Sequence, residues 1–206
     1  MTHASRAGAP PPEPPPPDGR AARRPAGRPS PADLEAARDQ TIPDVIAPGL
    51  RVLFAGINPS LYSAAVGQHF ARPGNRFWPA LHRGGFTPRQ LRPAEQDQLP
   101  ALGLGITNVV ARATARADEL ADQELREGGQ ALRAKAVRLR PQWLAVVGVT
   151  AYRTAFGDPR AVVGPQRELA PGTRLWVLPN PSGLNALWTT PKLIEAFRDL
   201  RLHAGG

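Results

Sequence analysis

The 206-residue sequence contains no cysteine, and that absence removes several kinds of chemistry. Disulfides, thiol nucleophiles, cysteine-ligated zinc and iron–sulfur clusters held by this chain are excluded. Histidine is scarce as well, and the four positions stand far apart, without the spacing of metal ligands: His3, His69, His82 and His203. We therefore expect neither a metal nor another cofactor.

Long apolar runs are also absent. No stretch approaches the roughly 20 residues that span a bilayer, and the N-terminus lacks the apolar segment of a secretory signal. The length suits one domain with a substantial core. We expect a cytoplasmic protein that acts as a monomer and has no membrane partner.

Lysine occurs only at Lys135 and Lys192, so arginine supplies nearly all of the positive charge. The formal net charge is +9. A basic surface favours a polyanionic partner such as DNA or RNA. A background bias towards arginine would produce the same excess, so charge alone leaves both interpretations open.

Proline is concentrated at the N-terminus. Residues 1–31 hold ten of the 25 prolines and almost nothing to bury, which predicts a disordered Pro/Ala/Arg-rich tail. An extension without function is the favoured interpretation, and contact with phosphates is the alternative. Residues 32–48 are predicted as a linker with a short helix at 32–38, and residues 49–206 as the folded domain.

Short apolar runs alternate with helical patterns through this domain. The runs predict strands over residues 51–55, 105–110, 143–147 and 174–178. The helical patterns cover residues 75–82, 122–140, 150–156 and a last helix from about residue 190. Residues 57–74 are predicted as a long functional loop. The alternation favours the α/β class, as a three-layer α/β/α sandwich on a mostly parallel sheet of about four strands.

An asparagine-centred turn follows the first predicted strand, with the sequence Gly56-Ile57-Asn58-Pro59-Ser60. Pro59 fixes the backbone after Asn58 and biases Asn58 away from helix. The Asn58 amide could then accept a hydrogen bond from a water molecule and orient it at the sheet edge where open α/β sheets bind ligands. From this turn alone, an Asx-turn that satisfies only local backbone is the favoured interpretation.

A second turn of the same kind follows the last predicted strand, with the sequence Asn180-Pro181-Ser182-Gly183-Leu184-Asn185. If both strands belong to one parallel sheet, both asparagines leave the same edge. Gly183 allows close approach to a partner, and Leu184 on a protruding loop suits insertion into a base stack. Taken alone, Leu184 as a cap on the core is the favoured interpretation.

Three motifs, taken together, are more specific. They are residues 56–64 (GINPSLYSA), residues 69–78 (HFARPGNRFW) and residues 180–184 (NPSGL). Their order and spacing over residues 50–204 strongly resemble the mismatch-specific uracil-DNA glycosylases, which include the thymine-DNA glycosylases, within the uracil-DNA glycosylase superfamily. The resemblance implies a monofunctional DNA-repair enzyme that initiates base-excision repair. It would flip uracil, with thymine and ethenocytosine as further candidate substrates, out of mismatched double-stranded DNA and hydrolyse the N-glycosidic bond.

The resemblance also implies roles for individual residues. The catalytic asparagine that positions the attacking water falls on Asn58, and the aromatic that stacks on the flipped base falls on Phe70. The implied base pocket consists of Ile57, Ser63, Phe70, Asn75 and Asn180. The implied DNA contacts are the phosphate-binding Arg72 and Arg76, with Ser182, Gly183, the wedge Leu184 and Asn185.

Two positions depart from the family pattern. Ser60 replaces the usual glycine, and Ala186 stands where an arginine often contacts the guanine side, which leaves guanine preference open. The alternatives are a non-enzymatic binder of mismatched or damaged DNA, and a glycosylase for another lesion such as ethenocytosine, hypoxanthine or xanthine. A small-molecule α/β hydrolase is disfavoured because the chain lacks a Gly-x-Ser-x-Gly elbow.

Overall fold

The computed structural model describes residues 27–205, which form helices around a central sheet. The strands are β1 (Val52–Gly56), β2 (Leu104–Asn108), β3 (Trp143–Val147), β4 (Gly164–Pro165) and β5 (Arg174–Leu178). Their spatial order is β2-β1-β3-β5-β4, and all neighbours are parallel except β4 against β5. The predicted mostly parallel α/β sheet is confirmed. The expected count of about four strands omits β4, whose two residues are too short to give a pattern.

The α-helices of residues 27–205 are α1 (Pro31–Ala36), α2 (Leu61–Val66), α3 (Phe77–Arg83), α4 (Asp122–Leu139), α5 (Val149–Phe156) and α6 (Thr190–His203). Short 3-10 turns lie at Pro93–Gln98, Pro100–Leu102 and Ala117–Glu119. The four helices predicted in the domain match α3 to α6, with ends that differ by one or two residues. Within the described residues, no helix has the length and apolar character needed to cross a membrane.

Side chains that alternate along the strands divide the core into two layers. In β1, Val52 and Phe54 pack with α3 and α6 on one face, while Leu53 and Ala55 pack with α4 and α5 on the other. Both faces are therefore covered, which explains why β1 and β3 read as continuous apolar runs. This packing confirms the three-layer arrangement.

The predicted long loop over residues 57–74 contains the helix α2, so that prediction is corrected. Ser60 caps this helix by accepting a hydrogen bond from the backbone N–H of Ser63 at 3.2 Å. Gly67 ends the helix in the left-handed conformation. Because α2 has only six residues and buries only Ser63 fully, it lacks the apolar period that would predict a helix.

The short helix predicted at residues 32–38 corresponds to α1, and other parts of the predicted linker over residues 32–48, before the predicted domain start near Gly49, are packed. Ala37, Ile42 and Val45 are buried, and Val45 forms an antiparallel bridge with Ile106 of β2. The packed part of the chain thus begins before Gly49. Isolated apolar residues without a period gave no signal for these long-range contacts. The predicted tail over residues 1–31 falls mainly outside the described residues.

The strand order places a change of direction between β1 and β3. From β1 the chain continues to β2 on one side of the sheet and then returns to β3 on the other side. A crevice at the carboxyl ends of such strands is where open α/β sheets bind ligands. Asn108 ends β2, and Asn58 and Asn180 each lie two residues beyond their strands, so three amide side chains meet this edge.

Candidate functional site

A cavity of about 630 Å³ lies at this carboxyl edge. Nine of the predicted site residues line it: Ile57, Asn58, Ser63, Phe70, Arg72, Asn75, Asn180, Ser182 and Leu184. The other three, Arg76, Gly183 and Asn185, are not part of its lining. The fold therefore brings the two asparagine turns and the aromatic-rich segment between them into one place.

The Asn58 side chain is held by a segment far away in sequence. Its Nδ2 donates hydrogen bonds to the carbonyl of Arg112 at 3.1 Å and to Thr114 Oγ1 at 2.7 Å. Thr114 Oγ1 donates in turn to the carbonyl of Arg116 at 2.7 Å, so its lone pair faces Asn58. Both amide protons are thus used by fixed partners. The carbonyl oxygen Oδ1 accepts no hydrogen bond within residues 27–205 and is available to a water molecule in the cavity.

Two residues without a role in the sequence analysis, His69 and Asn108, form a second polar pair in the cavity wall. His69 is 2% exposed, and its Nε2–H donates to the carbonyl of Pro43 at 3.1 Å. Its Nδ1 can therefore accept a hydrogen bond from Asn108 Nδ2, at 3.4 Å. Burial lowers the pKa of His69, which favours the neutral ring that this arrangement needs.

A signal for Asn108 was present in the sequence. It is the one amide side chain within the predicted strand over residues 105–110, and the structure ends β2 at this residue, at the same sheet edge as Asn58. Thr114, by contrast, gave no signal of its own. Its contact with Asn58 spans 56 residues and depends on the path of the chain after β2.

Phe70 supplies an aromatic wall. Its ring stacks on Phe77, with centroids 4.0 Å apart and planes 12° from parallel, and its backbone has a positive φ of 53°. Gly56 makes room for this ring. A Cβ at Gly56 would lie 3.1 Å from Phe70 Cζ and 2.7 Å from Asn108 Oδ1. The glycine at the end of β1 thus permits close packing of two cavity residues.

Ser63 and Asn75 hold the segment that carries Phe70. The Ser63 hydroxyl accepts a hydrogen bond from the backbone N–H of Ala71 at 3.1 Å. Asn75 Oδ1 accepts one from the backbone N–H of Phe77 at 2.9 Å, which fixes the start of α3. Both side chains also line the cavity, so they shape it from either end of this segment.

The second turn belongs to a protruding segment, residues 181–188, that we call the wedge loop. Two of its leucines are exposed, Leu184 at 80% and Leu187 at 85%. The Arg76 guanidinium donates to four carbonyl oxygens of this loop, those of Pro181, Ser182, Asn185 and Trp188. The guanidinium of Arg76, which was predicted to contact phosphate, thus faces the loop and holds its backbone in place.

Hydrogen bonds within residues 180–185 further fix the conformation of the wedge loop. Asn180 Oδ1 accepts from the backbone N–H of Ser182 at 2.9 Å, and Asn185 Nδ2 donates to the Asn180 carbonyl at 3.0 Å. The Ser182 hydroxyl accepts from the backbone N–H of Leu184 at 3.3 Å. The side chains of Ser182 and Asn185, expected to contact DNA, are thus engaged in shaping the loop.

Gly183 packs against a second loop of the same chain. A Cβ at Gly183 would lie 2.7 Å from the carbonyl oxygen of Gly74, so the absence of a side chain lets the two backbones touch. The backbone N–H of Arg76 also donates to the Pro181 carbonyl at 3.0 Å. The wedge loop and the segment that carries Phe70 are therefore tied to each other.

Arg72 is exposed at the rim of the cavity. Its guanidinium makes no hydrogen bond or ion pair with any residue of the described chain, unlike that of Arg76. Arg116 stands elsewhere on the rim, paired with Asp118 at 2.5 Å and largely exposed. Within residues 27–205, no group of three or more His, Asp or Glu side chains could hold a metal ion.

The fold and the site define an α/β/α protein with an amide-lined cavity at the switch point of its sheet. A family model described as the uracil DNA glycosylase superfamily matches residues 43–201, well over half of the chain. The chain therefore belongs to the uracil DNA glycosylase superfamily, and its biochemical class is that of the DNA glycosylases.

A solved structure shows the same fold. It is a solution NMR structure described as that of a candidate uracil DNA glycosylase from Methanosarcina acetivorans. The sequences are 19% identical, the TM-score is 0.53, and the match covers 79% of this chain and 98% of that one. At this identity the likeness supports the fold alone.

Proposed function

We propose that this protein is a monofunctional glycosylase that hydrolyses the N-glycosidic bond of uracil in mismatched double-stranded DNA, and so initiates base-excision repair. The observation that carries the proposal is the locked Asn58 amide, whose Oδ1 is left to accept a hydrogen bond in the cavity. We further propose that it acts on DNA as a cytoplasmic monomer.

In the proposed reaction, Asn58 Oδ1 accepts a hydrogen bond from a water molecule near the anomeric carbon. The C–N bond breaks, and its electron pair leaves with the base while the sugar becomes cationic. The water oxygen then bonds to the anomeric carbon, and its proton passes to solvent. An amide orients water but is no strong base, so we expect slow turnover.

The flipped base would enter between the aromatic and amide walls of the cavity. Stacking on the free face of Phe70 contributes about 1–3 kcal/mol in comparable contacts. The Asn108 amide, oriented by His69, offers a donor and an acceptor to the polar edge of the base. Such prepositioned dipoles also stabilise the negative charge that develops on the leaving base.

The wedge loop supports extrusion of the nucleotide. Removing a base from its stack costs a few kcal/mol, and less at a mismatch. Leu184 is 80% exposed and would fill the gap, while Arg76 keeps the loop from collapsing. Arg72 lines the cavity rim, and in this proposal it binds a phosphate and so sets the register without reading sequence.

The two departures from the family pattern bear on specificity. Ser60 adopts an unstrained φ of −71° and caps α2, so serine at this position serves the fold. Ala186 leaves the wedge loop without an arginine side chain beside Leu184. We therefore expect only a modest preference for guanine opposite uracil.

The test is single-turnover base release from a labelled duplex that contains G·U, A·U, G·T or ethenocytosine opposite G. The test variant is Asn58→Ala. The matched control is Gln130→Ala, which removes a side-chain amide from the exposed face of α4. We expect release from G·U that is lost in Asn58→Ala and retained in Gln130→Ala. Binding without release from any duplex would favour the non-enzymatic binder of mismatched DNA, and release of ethenocytosine alone would favour another lesion.

A further inference from the structure

We infer that an N-terminal segment, residues 31–45, positions Asn58 for catalysis; we call it the brace. It consists of α1 and the chain that follows, and most of it precedes residue 43, where the family match begins. The inference rests on the proposed function, because the rate of base release is one of its readouts. The structural basis is a set of contacts between the brace and the segment that holds the Asn58 amide.

The first contact is a reciprocal pair of backbone hydrogen bonds. The N–H of Asp39 donates to the carbonyl of Ala113 at 3.0 Å, and the N–H of Ala113 donates to the carbonyl of Gln40 at 2.9 Å. Ala113 stands between the two residues whose oxygens accept from Asn58 Nδ2. The brace is therefore hydrogen-bonded to Ala113, which is adjacent in sequence to both residues that hold the Asn58 amide.

The second contact is ionic. The Arg112 guanidinium donates to Asp39 Oδ1 at 3.0 Å and binds both carboxylate oxygens of Glu124, at 2.6 and 3.0 Å. A bidentate arginine pair restrains geometry more than a single contact does. The Arg112 carbonyl is the one that holds Asn58, so this network fixes a partner of the Asn58 amide.

Asp39 has a left-handed backbone with a φ of 60°. Aspartate tolerates this conformation better than most residues, yet it persists only where surrounding contacts fix it. Here both the N–H and the carboxylate of Asp39 bind the 112–113 segment. A constrained backbone at a point of attachment is typical of a positioning element.

The brace also reaches the other polar pair of the cavity. The Pro43 carbonyl accepts from His69 Nε2, and Asp44 accepts from Thr107 Oγ1 at 2.7 Å while pairing with Lys135. Ile42 is buried and lines the cavity wall. The brace thus contacts the supports of both Asn58 and Asn108, which a passive linker would not do.

Each of these contacts contributes little to the free energy of unfolding, but together they fix the position of the Asn58 amide. The Asp39–Arg112 pair is partly exposed, and such pairs contribute little to folding. Catalysis is more sensitive, because a displacement of about 1 Å can reduce a rate on the order of 100-fold. Loosening the brace should therefore slow base release without unfolding the protein.

The experiment uses the full chain with Asp39→Ala and Arg112→Met. The matched control is Arg126→Met, which removes an ion pair with Asp122 on the exposed face of α4. Three quantities are measured: the single-turnover rate on a G·U duplex at saturating enzyme, the Kd for a duplex with a non-hydrolysable uridine analogue, and Tm. We expect the rate to fall about 10-fold in both variants. The Kd and Tm should stay near wild type, and Arg126→Met should leave all three unchanged.

Asp39→Asn provides the conservative rescue. It keeps an acceptor oxygen for Arg112 and a side chain that tolerates the left-handed backbone. We expect it to recover most of the rate that Asp39→Ala loses. A rate lost in proportion to a fall in Tm would indicate a merely structural role and would overturn the inference.

Hydrogen–deuterium exchange provides a readout that does not depend on activity. The N–H of Thr114 donates to the Pro59 carbonyl and the N–H of Leu61 to the Thr114 carbonyl, so these amides report how firmly the Asn58 turn is held. We expect faster exchange over residues 57–61 and 111–116 in Asp39→Ala and Arg112→Met. Hydrogen–deuterium exchange that is unchanged in both variants would overturn the inference. So would wild-type rates of base release in both variants, if Asn58→Ala is inactive in the same assay. Either outcome would leave the glycosylase proposal intact. A wild-type protein that releases no base would instead contradict the proposed function, and exchange would still decide the role of the brace.

Discussion

The turns at Asn58 and Asn180 share a sequence pattern, since each places Asn-Pro-Ser beyond a buried parallel strand, but they are held in different ways. Asn58 is fixed through its Nδ2 by a segment more than 50 residues away. Asn180 is fixed through its Oδ1 by the N–H of Ser182, two residues on. The side chain of Asn58 depends on tertiary contacts, whereas that of Asn180 forms a local Asx-turn.

The difference determines which end of each amide remains for a ligand. Asn58 keeps a free acceptor, the end that can orient a water molecule. Asn180 keeps its Nδ2, which makes no hydrogen bond within residues 27–205 and can serve only as a donor. Two similar motifs at one sheet edge thus provide complementary chemistry, and only the first can direct a nucleophile.

The largest expected effect separates the two asparagines. Asn58→Ala removes the acceptor that orients the water, and mispositioning of a reacting group reduces a rate on the order of 100-fold. Asn180→Ala should cost no more than about 10-fold, since it removes one Asx-turn contact and one donor. Single-turnover release from a G·U duplex measures both. Equal losses would contradict the division of roles.

The next largest effect is expected when the hydrogen bond between Asn58 and the distant Thr114 is removed. Thr114→Val keeps the shape but removes the 2.7 Å hydrogen bond to Asn58 Nδ2, and we expect a loss of about 10-fold in single-turnover rate. Thr114→Ser keeps the hydroxyl and should retain most activity. A valine variant as active as the serine variant would show that the Arg112 carbonyl alone fixes the amide.

Arg76→Met tests the second turn in the same way. Loss of the hydrogen bonds from Arg76 to four loop carbonyls should loosen the wedge loop. We expect release from duplex DNA to slow by several-fold, with a smaller effect on single-stranded DNA. Arg83→Met, an exposed position at the end of α3, is the matched loss of charge. If Arg76→Met changes only the salt dependence of binding and Arg83→Met does not, then Arg76 contacts phosphate.

The smallest effect concerns the third amide, Asn108, and its partner His69. The pKa of His69 is lowered in the folded state by burial, so the unfolded chain takes up a proton first as pH falls below about 6.5. The free energy of unfolding should therefore decrease below that pH, by at most about 1.4 kcal/mol per pH unit. Denaturant titrations between about pH 7.5 and pH 5.5 measure this slope. His69→Gln should flatten the slope, and an unchanged slope would mean that another group titrates.

The fold was largely predictable because its elements carry local signals. The strands β3 and β5 match their predicted bounds, and α4 departs by one residue, since acidic residues begin it and Pro141 prevents its continuation. The short helix α2 was predicted as loop, and the brace as a linker with a short helix at residues 32–38. Neither has an apolar period, and both are stabilised by contacts with distant residues.

Local sequence by itself determined the strand–turn units, the buried faces of the helices and the place of Asn58 and Asn180 at one edge of the sheet. Only the tertiary structure decided which amide atoms are free, that Arg76 faces the wedge loop, and that His69, Asn108 and Thr114 belong to the site. The physical reason is distance along the chain. Backbone preferences and apolar periods act over a few residues, whereas a side-chain amide takes its orientation from partners that only folding brings near.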